Sequence, residues 1–221
     1  MTMLHDTQSR RRFLKASAVI TTGLSGFALL PGVAWSSDED INIIGPKAGY
    51  SPQIGTLVSM MTWMRAAVLR SVKGLSQKDL DFLLDSTANT IGALLLHLAA
   101  TETYYQMNTF DAKSWGSWPD SVKQKWDTPM GLGEPARKAI KGNDLDYYLK
   151  ILEETREKSL GEFRKRDDNW LMSVDKQWPW GPTNNYCKWF HVCEHESNQS
   201  NHNGQIKLLA KRLPGAKTDS E

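Results

Sequence analysis

Apolar residues recur at helical spacing along four long stretches of this chain. Leu57, Met60, Met61, Met64, Val68 and Leu69 line one side of a segment running from Ser51 and Pro52 to about Val72. Pro52 suits a first helical turn, and Gly74 suits a stop. A short segment capped by Ser76 follows, with Leu80, Leu83 and Leu84. The second main helix is predicted over 90–108, and the third over about 145–166, where Tyr148, Ile151, Leu152, Thr155 and Leu160 share a side. The fourth covers about 184–213 and ends at Pro214 and Gly215. No stretch alternates as a strand would, and no internal repeat or low-complexity tract interrupts the pattern. Four long helices, each with one apolar side, predict an all-α fold, an antiparallel four-helix bundle. Two aromatic connections separate them. One, over 114–133, holds Trp115, Trp118, Pro119, Trp126 and Pro129; the other holds Trp170, Trp178, Pro179, Trp180 and Pro182. They read as long connections, the first with room for a short helix, whose aromatics either wall a pocket or plug the bundle end. Trp63 and Trp189 read as core.

The first residues belong to a different pattern. Ser9-Arg10-Arg11-Arg12-Phe13-Leu14-Lys15 precedes a weakly apolar stretch from Ala16 to Leu30, then Pro31-Gly32-Val33-Ala34. A basic start, a short apolar middle and a small-x-small end make a secretory signal. Paired arginines before Phe-Leu-Lys resemble a twin-arginine (Tat) signal, which implies export of the folded chain through the Tat translocase to a periplasmic or extracellular location. Cleavage is expected after Ala34, with 35–49 a loose lead-in, 50–214 the bundle and 215–221 a tail. The formal charge of the 221-residue chain is +2. Residues 1–34 take four basic groups and one acidic group with them, which leaves the mature chain at −1. That near-neutral balance gives no basis for a nucleic-acid partner. No run approaches the roughly 20 apolar residues of a transmembrane helix.

Cys187 and Cys193 are the two cysteines. Six residues apart on one helix, they would be separated by about 9 Å along the axis, beyond the disulfide limit of about 7 Å. They read as free, buried thiols, with an intermolecular bridge open in an oxidising compartment.

The histidines are gathered. Of five, His5 lies in the signal. His97 sits in the apolar run Ile91-Gly92-Ala93-Leu94-Leu95-Leu96-His97-Leu98-Ala99-Ala100, where a buried imidazole needs a partner. His191, His195 and His202 share one stripe of the last helix. His191 and His195 have the i, i+4 spacing of a helical chelate. His195 and His202 are about 10.5 Å apart along an ideal axis, so they meet at one ion only if side chains stretch or the helix is distorted between them. The polar run Ser197-Asn198-Gln199-Ser200-Asn201 makes a distortion plausible. No Ser/His/Asp triad, phosphate loop or dinucleotide fingerprint is present.

These residues carry a family resemblance. The segment Thr87-Ala88-Asn89-Thr90-Ile91-Gly92 through His97-Leu98-Ala99-Ala100-Thr101-Glu102 resembles the first signature of the DinB/YfiT-like metalloprotein superfamily. The segment His191-Val192-Cys193-Glu194-His195-Glu196, followed by His202-Asn203-Gly204-Gln205-Ile206, resembles the second, with a spacer three residues longer than the usual pattern. The likeness extends over about 50–214. It implies a divalent metal, zinc or nickel first and iron also compatible, held by three histidines. His97, His195 and His202 are the family set; His97, His191 and His195 are its rival, and Asn198 or Gln199 a third option. Glu102, Glu194 and Glu196 would support the ligands or act as bases. Three ligands leave open coordination positions, the mark of a catalytic site. The relatives imply a thiol-dependent S-transferase or a hydrolase acting on a small substrate, with a low-molecular-weight thiol as partner and a homodimer as the frequent assembly. The alternative is a non-catalytic exported bundle whose histidines bind metal only for storage or stability.

Overall fold

A computed structural model describes residues 41–196 and 202–216. The expected signal segment lies outside the described residues, as do Asn198 and Gln199. Helix α1 spans Pro52–Val72, α2 Gln77–Leu80, α3 Ile91–Thr109, α4 Asp120–Gly131, α5 Gly133–Ala139, α6 Leu145–Phe163 and α7 Asp168–Met172. A two-residue ladder pairs β1 (Val174–Asp175) with β2 (Thr183–Asn184), antiparallel. Helices α8 (Asn185–Glu196) and α9 (His202–Lys211) follow. The four long segments are thus α1, α3, α6 and α8 with α9, and they form the expected bundle.

The helix starts are written in short polar side chains. Thr90 accepts from the Ala93 amide, Asp144 from Tyr147 and Asp167 from Trp170. Ser76 and Asp79 form a reciprocal capping box at α2. Helix α3 is buried on nearly every side and packs on α4, α6, α8 and α9. Its Gly92 permits the approach of α6, because a Cβ there would fall 2.6 Å from the Tyr148 hydroxyl.

Several expectations need correction. The connection over 114–133 is largely helical, supplying α4, and α5 extends past it. Pro129 sits inside α4 and removes one donor, yet the helix continues to Gly131. The second aromatic connection contains α7 and the small ladder, too short to show a period-2 pattern. Within the 35–49 lead-in, Asn42, Gly45 and Lys47 meet α1. The Gly45 amide donates to Ser59, the Trp63 indole donates to Asn42, and Lys47 crosses where Gly55 has no side chain. Trp63 is half-buried, whereas Trp189 is fully enclosed in the core. Cys187 is exposed, and only Cys193 is buried.

The apolar core falls into two clusters. One gathers Ile54, Leu57, Met61, Phe163, Leu171, Trp178 and Trp189; the other gathers Val68, Val72, Leu94, Leu98, Tyr148, Leu152 and Ile206. Between these levels lie four buried charges, one from each main helix: Arg65 on α1, Glu102 on α3, Arg156 on α6 and Glu196 on α8. Arg65 Nη2 meets Glu102 at 3.0 Å and Glu196 at 2.5 Å; Arg156 meets Glu102 at 2.8 Å and Glu196 at 3.0 Å. Arg65 also donates to the Leu152 carbonyl, Arg156 to the Met61 carbonyl and Ser159 to Glu102. Burial alone would raise the Glu102 pKa, but the guanidiniums of Arg156 and Arg65 outweigh it and hold the carboxylate ionised. Neither arginine belongs to a sequence motif. The usable signal was a charge on an apolar face, since Arg65 is four residues from Met61 and three from Val68.

Removing one member leaves its partners buried and uncompensated. Arg65→Met is expected to cost about 3–5 kcal/mol of unfolding free energy, read by urea denaturation, whereas breaking the exposed Glu134–Lys138 pair by Lys138→Met should cost under about 1 kcal/mol.

Candidate metal centre

His97, His195 and His202 come together. One ring nitrogen of each lies within 4.8 Å of the others. The ring centroids are 5.7 Å apart for His97 and His195, 4.5 Å for His97 and His202, and 5.5 Å for His195 and His202. The last distance is about half of the 10.5 Å rise over seven residues of straight helix, and the two rings stand on separate helices, α8 and α9. His191 is not in this group. Its half-exposed ring faces Glu194, with Nδ1 3.4 Å from the carboxylate.

Each imidazole has its outer nitrogen committed to an acceptor. His97 Nδ1 lies 3.0 Å from the Pro129 carbonyl, His195 Nδ1 2.7 Å from the His191 carbonyl and His202 Nδ1 3.2 Å from the Gln205 side-chain oxygen. A carbonyl oxygen only accepts, so in each ring Nδ1 carries the proton and Nε2 presents a lone pair. Metal-binding histidines are oriented in this way, by a hydrogen bond from the other nitrogen. The Thr101 hydroxyl, which the sequence reading passed over, stands 3.5 Å from His97 Nε2.

Burial favours the neutral ring at His97 and at His202. Burial, reinforced by His202 and His195, lowers the His97 pKa from 6.5 to about 4, against the opposing pull of the Pro129 carbonyl. Burial likewise lowers that of His202, with Gln205 opposing. A protonated imidazole cannot bind a cation, so burial keeps His97 and His202 in their binding form at neutral pH. The donor set fits a divalent ion of the zinc type. Nitrogens bound to one tetrahedral zinc lie about 3.4 Å apart, given Zn–N bonds of about 2.0–2.1 Å, so modest side-chain rotation would close the group.

The acidic candidates are placed differently. Glu102 and Glu196 are hydrogen-bonded to Arg65 and Arg156, and neither is seen bonded to an imidazole among the described residues. Glu194 faces His191. Cys193 is enclosed beside the charge cluster, where burial pushes its thiol up to about 12; it stays protonated and is no nucleophile.

The aromatic connections mostly plug. Trp118, Trp126 and Trp178 are buried, and Trp115 touches Tyr104, Tyr105, Trp118, Trp178 and Trp180. Only Trp180 is largely open, at 70% exposure. A polar cleft of about 310 Å³ lies at that end, lined in part by Asn108, Trp115, Asp175 and Lys188. The Lys188 ammonium is buried and bonded to Asn108 and Asp175 at 2.8 Å each.

A helical bundle whose inner face gathers three Nε2 lone pairs from the second and last main helices has the architecture of the DinB-like proteins. The sequence profile of the mycothiol-S-transferase family matches residues 56–215, and the chain belongs to that family. Comparison with curated proteins finds no match.

A pH dependence follows. In metal-free protein His97 has a folded pKa below its unfolded value, so the unfolded chain binds more protons between about pH 6.5 and pH 4. Its contribution is complete above 6.5 and is lost as pH falls through that window, a change of roughly 3 kcal/mol. Chelator-treated wild type should therefore lose more unfolding free energy than His97→Gln on going from pH 7 to pH 4.

Proposed function

We propose that this chain is a metal-dependent thiol S-transferase that joins mycothiol to a small electrophile. The observation that carries the reading is the convergence of three imidazoles, each with Nδ1 committed and Nε2 available. Family membership supplies the thiol. His97, His195 and His202 would hold a divalent ion, zinc or nickel by ligand type, with iron also compatible. Such an ion lowers the pKa of a thiol bound to it, so that the sulfur is a thiolate near neutral pH.

The protein's own groups do the rest. Pro129, His191 and Gln205 fix the ring tautomers through their carbonyl oxygens, and burial keeps His97 unprotonated. The charge cluster fixes the helices that carry His97 and His195. The buried Cys193 thiol stays protonated, and family membership points to the co-substrate as the source of the attacking sulfur. In the reaction the thiol gives its proton to solvent, its sulfur forms a bond to the electrophilic carbon, and a leaving group departs with the electron pair. Export through the twin-arginine route is part of the same proposal, because that route carries folded chains and would deliver the ion already in place.

Elemental analysis of the purified protein should find about one divalent ion per chain in wild type, in keeping with a single three-histidine site. His97→Ala, His195→Ala and His202→Ala should each lose most of it. His191→Ala should keep it, because only the main-chain carbonyl of that residue is used. Mycothiol with an alkyl halide should turn over in wild type and stop on chelation. Metal-replete wild type that binds well under a tenth of an ion overturns the reading. Full metal with no thiol consumption across a panel of electrophiles favours the non-catalytic bundle.

A further inference from the structure

Asn89 belongs to the first signature, yet it touches no histidine. Its side chain reaches instead to the junction of α4 and α5. Leu132 sits at that junction with φ 51° and ψ −150°, a backbone region that glycine adopts and a branched side chain avoids. The Leu132 amide still makes the regular helical bond, to the Thr128 carbonyl at 3.2 Å. In a continuous helix the next amide, that of Gly133, would donate to the Pro129 carbonyl. It donates to Asn89 Oδ1 instead, at 3.0 Å. The Pro129 carbonyl is thereby left for His97, whose Nδ1 takes it at 3.0 Å.

We propose that Asn89 is a positioning residue for His97: by capturing the Gly133 amide it holds the helix break open and reserves the Pro129 carbonyl for the imidazole. The strained Leu132 is the backbone cost of that exchange. Otherwise the Gly133 amide and the ring N–H would converge on the Pro129 carbonyl, and the ring would be turned toward its other backbone partner, Met130. With Asn89 present, each donor has its own acceptor. The proton is kept on His97 Nδ1, and Nε2 faces His195 and His202. The effect on metal affinity rests on the proposed function, whereas the effect on the tautomer does not.

The test reads two quantities in the full chain. One is the His97 tautomer in metal-free protein at pH 8, from long-range proton–nitrogen NMR. The other is zinc affinity by chelator competition. Wild type should show the Nδ1–H form. Asn89→Ala should show a substantial Nε2–H fraction and bind zinc at least about tenfold more weakly, the scale expected when the group orienting a ligand is lost. Asn89→Asp keeps an acceptor oxygen and should return both readings to near wild type. Should the alanine variant fail to fold, Asn89→Ser, whose hydroxyl is too short to reach Gly133, gives the same comparison. An unchanged tautomer in Asn89→Ala or Asn89→Ser overturns the proposal, as does equal damage in Asn89→Asp, which would mark a packing role. If wild type binds no zinc, the proposed function falls while the tautomer reading still judges Asn89. If wild type binds zinc and Asn89→Ala keeps its tautomer, the Asn89 proposal falls alone.

Discussion

Two arginines and two carboxylates, one from each main helix, meet at the level where the apolar core divides. Their charges sum to zero, and every guanidinium finds carboxylate and carbonyl acceptors. Glu196 Oε2 alone has no partner among the described residues. Desolvating four charges is expensive, and an apolar core of the same volume would serve stability as well or better. What the ionic arrangement adds is direction. A leucine packs in several registers, but Arg65 satisfies Glu102, Glu196 and the Leu152 carbonyl together in one relative placement of α1, α3, α6 and α8. His97 lies five residues before Glu102 on α3, and His195 immediately precedes Glu196 on α8. The cluster thus sets the height of two imidazoles without touching either.

The division of labour differs from the common pattern in which a carboxylate orients a ligating histidine. Here the orienting acceptors are two main-chain carbonyls and one amide oxygen, all uncharged. A neighbouring carboxylate would have drawn protons to the rings. Neutral acceptors leave burial to keep His97 neutral well below physiological pH. Glu102 and Glu196, named with the histidine motifs, are spent on holding helices together.

Much of this was legible in the sequence. The four long helices follow from apolar spacing and from caps such as Thr90, and the histidine cluster from the concentration of His97, His195 and His202 in two segments. Helix α4 was obscured because Trp118, Pro119, Trp126 and Pro129 are local loop signals, and packing of Trp126 against the core overrides them. The α7 segment and the two-residue ladder lie below the length at which periodicity speaks. The charge cluster was missed for a different reason. Glu102 and Glu196 lie within the histidine motifs, while Arg65 and Arg156 are far from any motif, and only the fold brings the four together. The choice between His191 and His202 was open for the same reason: helical spacing favoured the i, i+4 pair, and a start of α9 at His202 cannot be read from spacing.

The way His195 and His202 are held bears on the length of the chain between them. His195 takes its orientation from the carbonyl one turn earlier in α8, and His202 from Gln205 within α9. Each ring is aimed by its own helix. Both acceptors, His191 and Gln205, stand on the same helices as the rings they orient, so a spacer three residues longer than the usual pattern leaves each ring its own acceptor. Two self-contained halves of a signature can then move apart in sequence while remaining together in space.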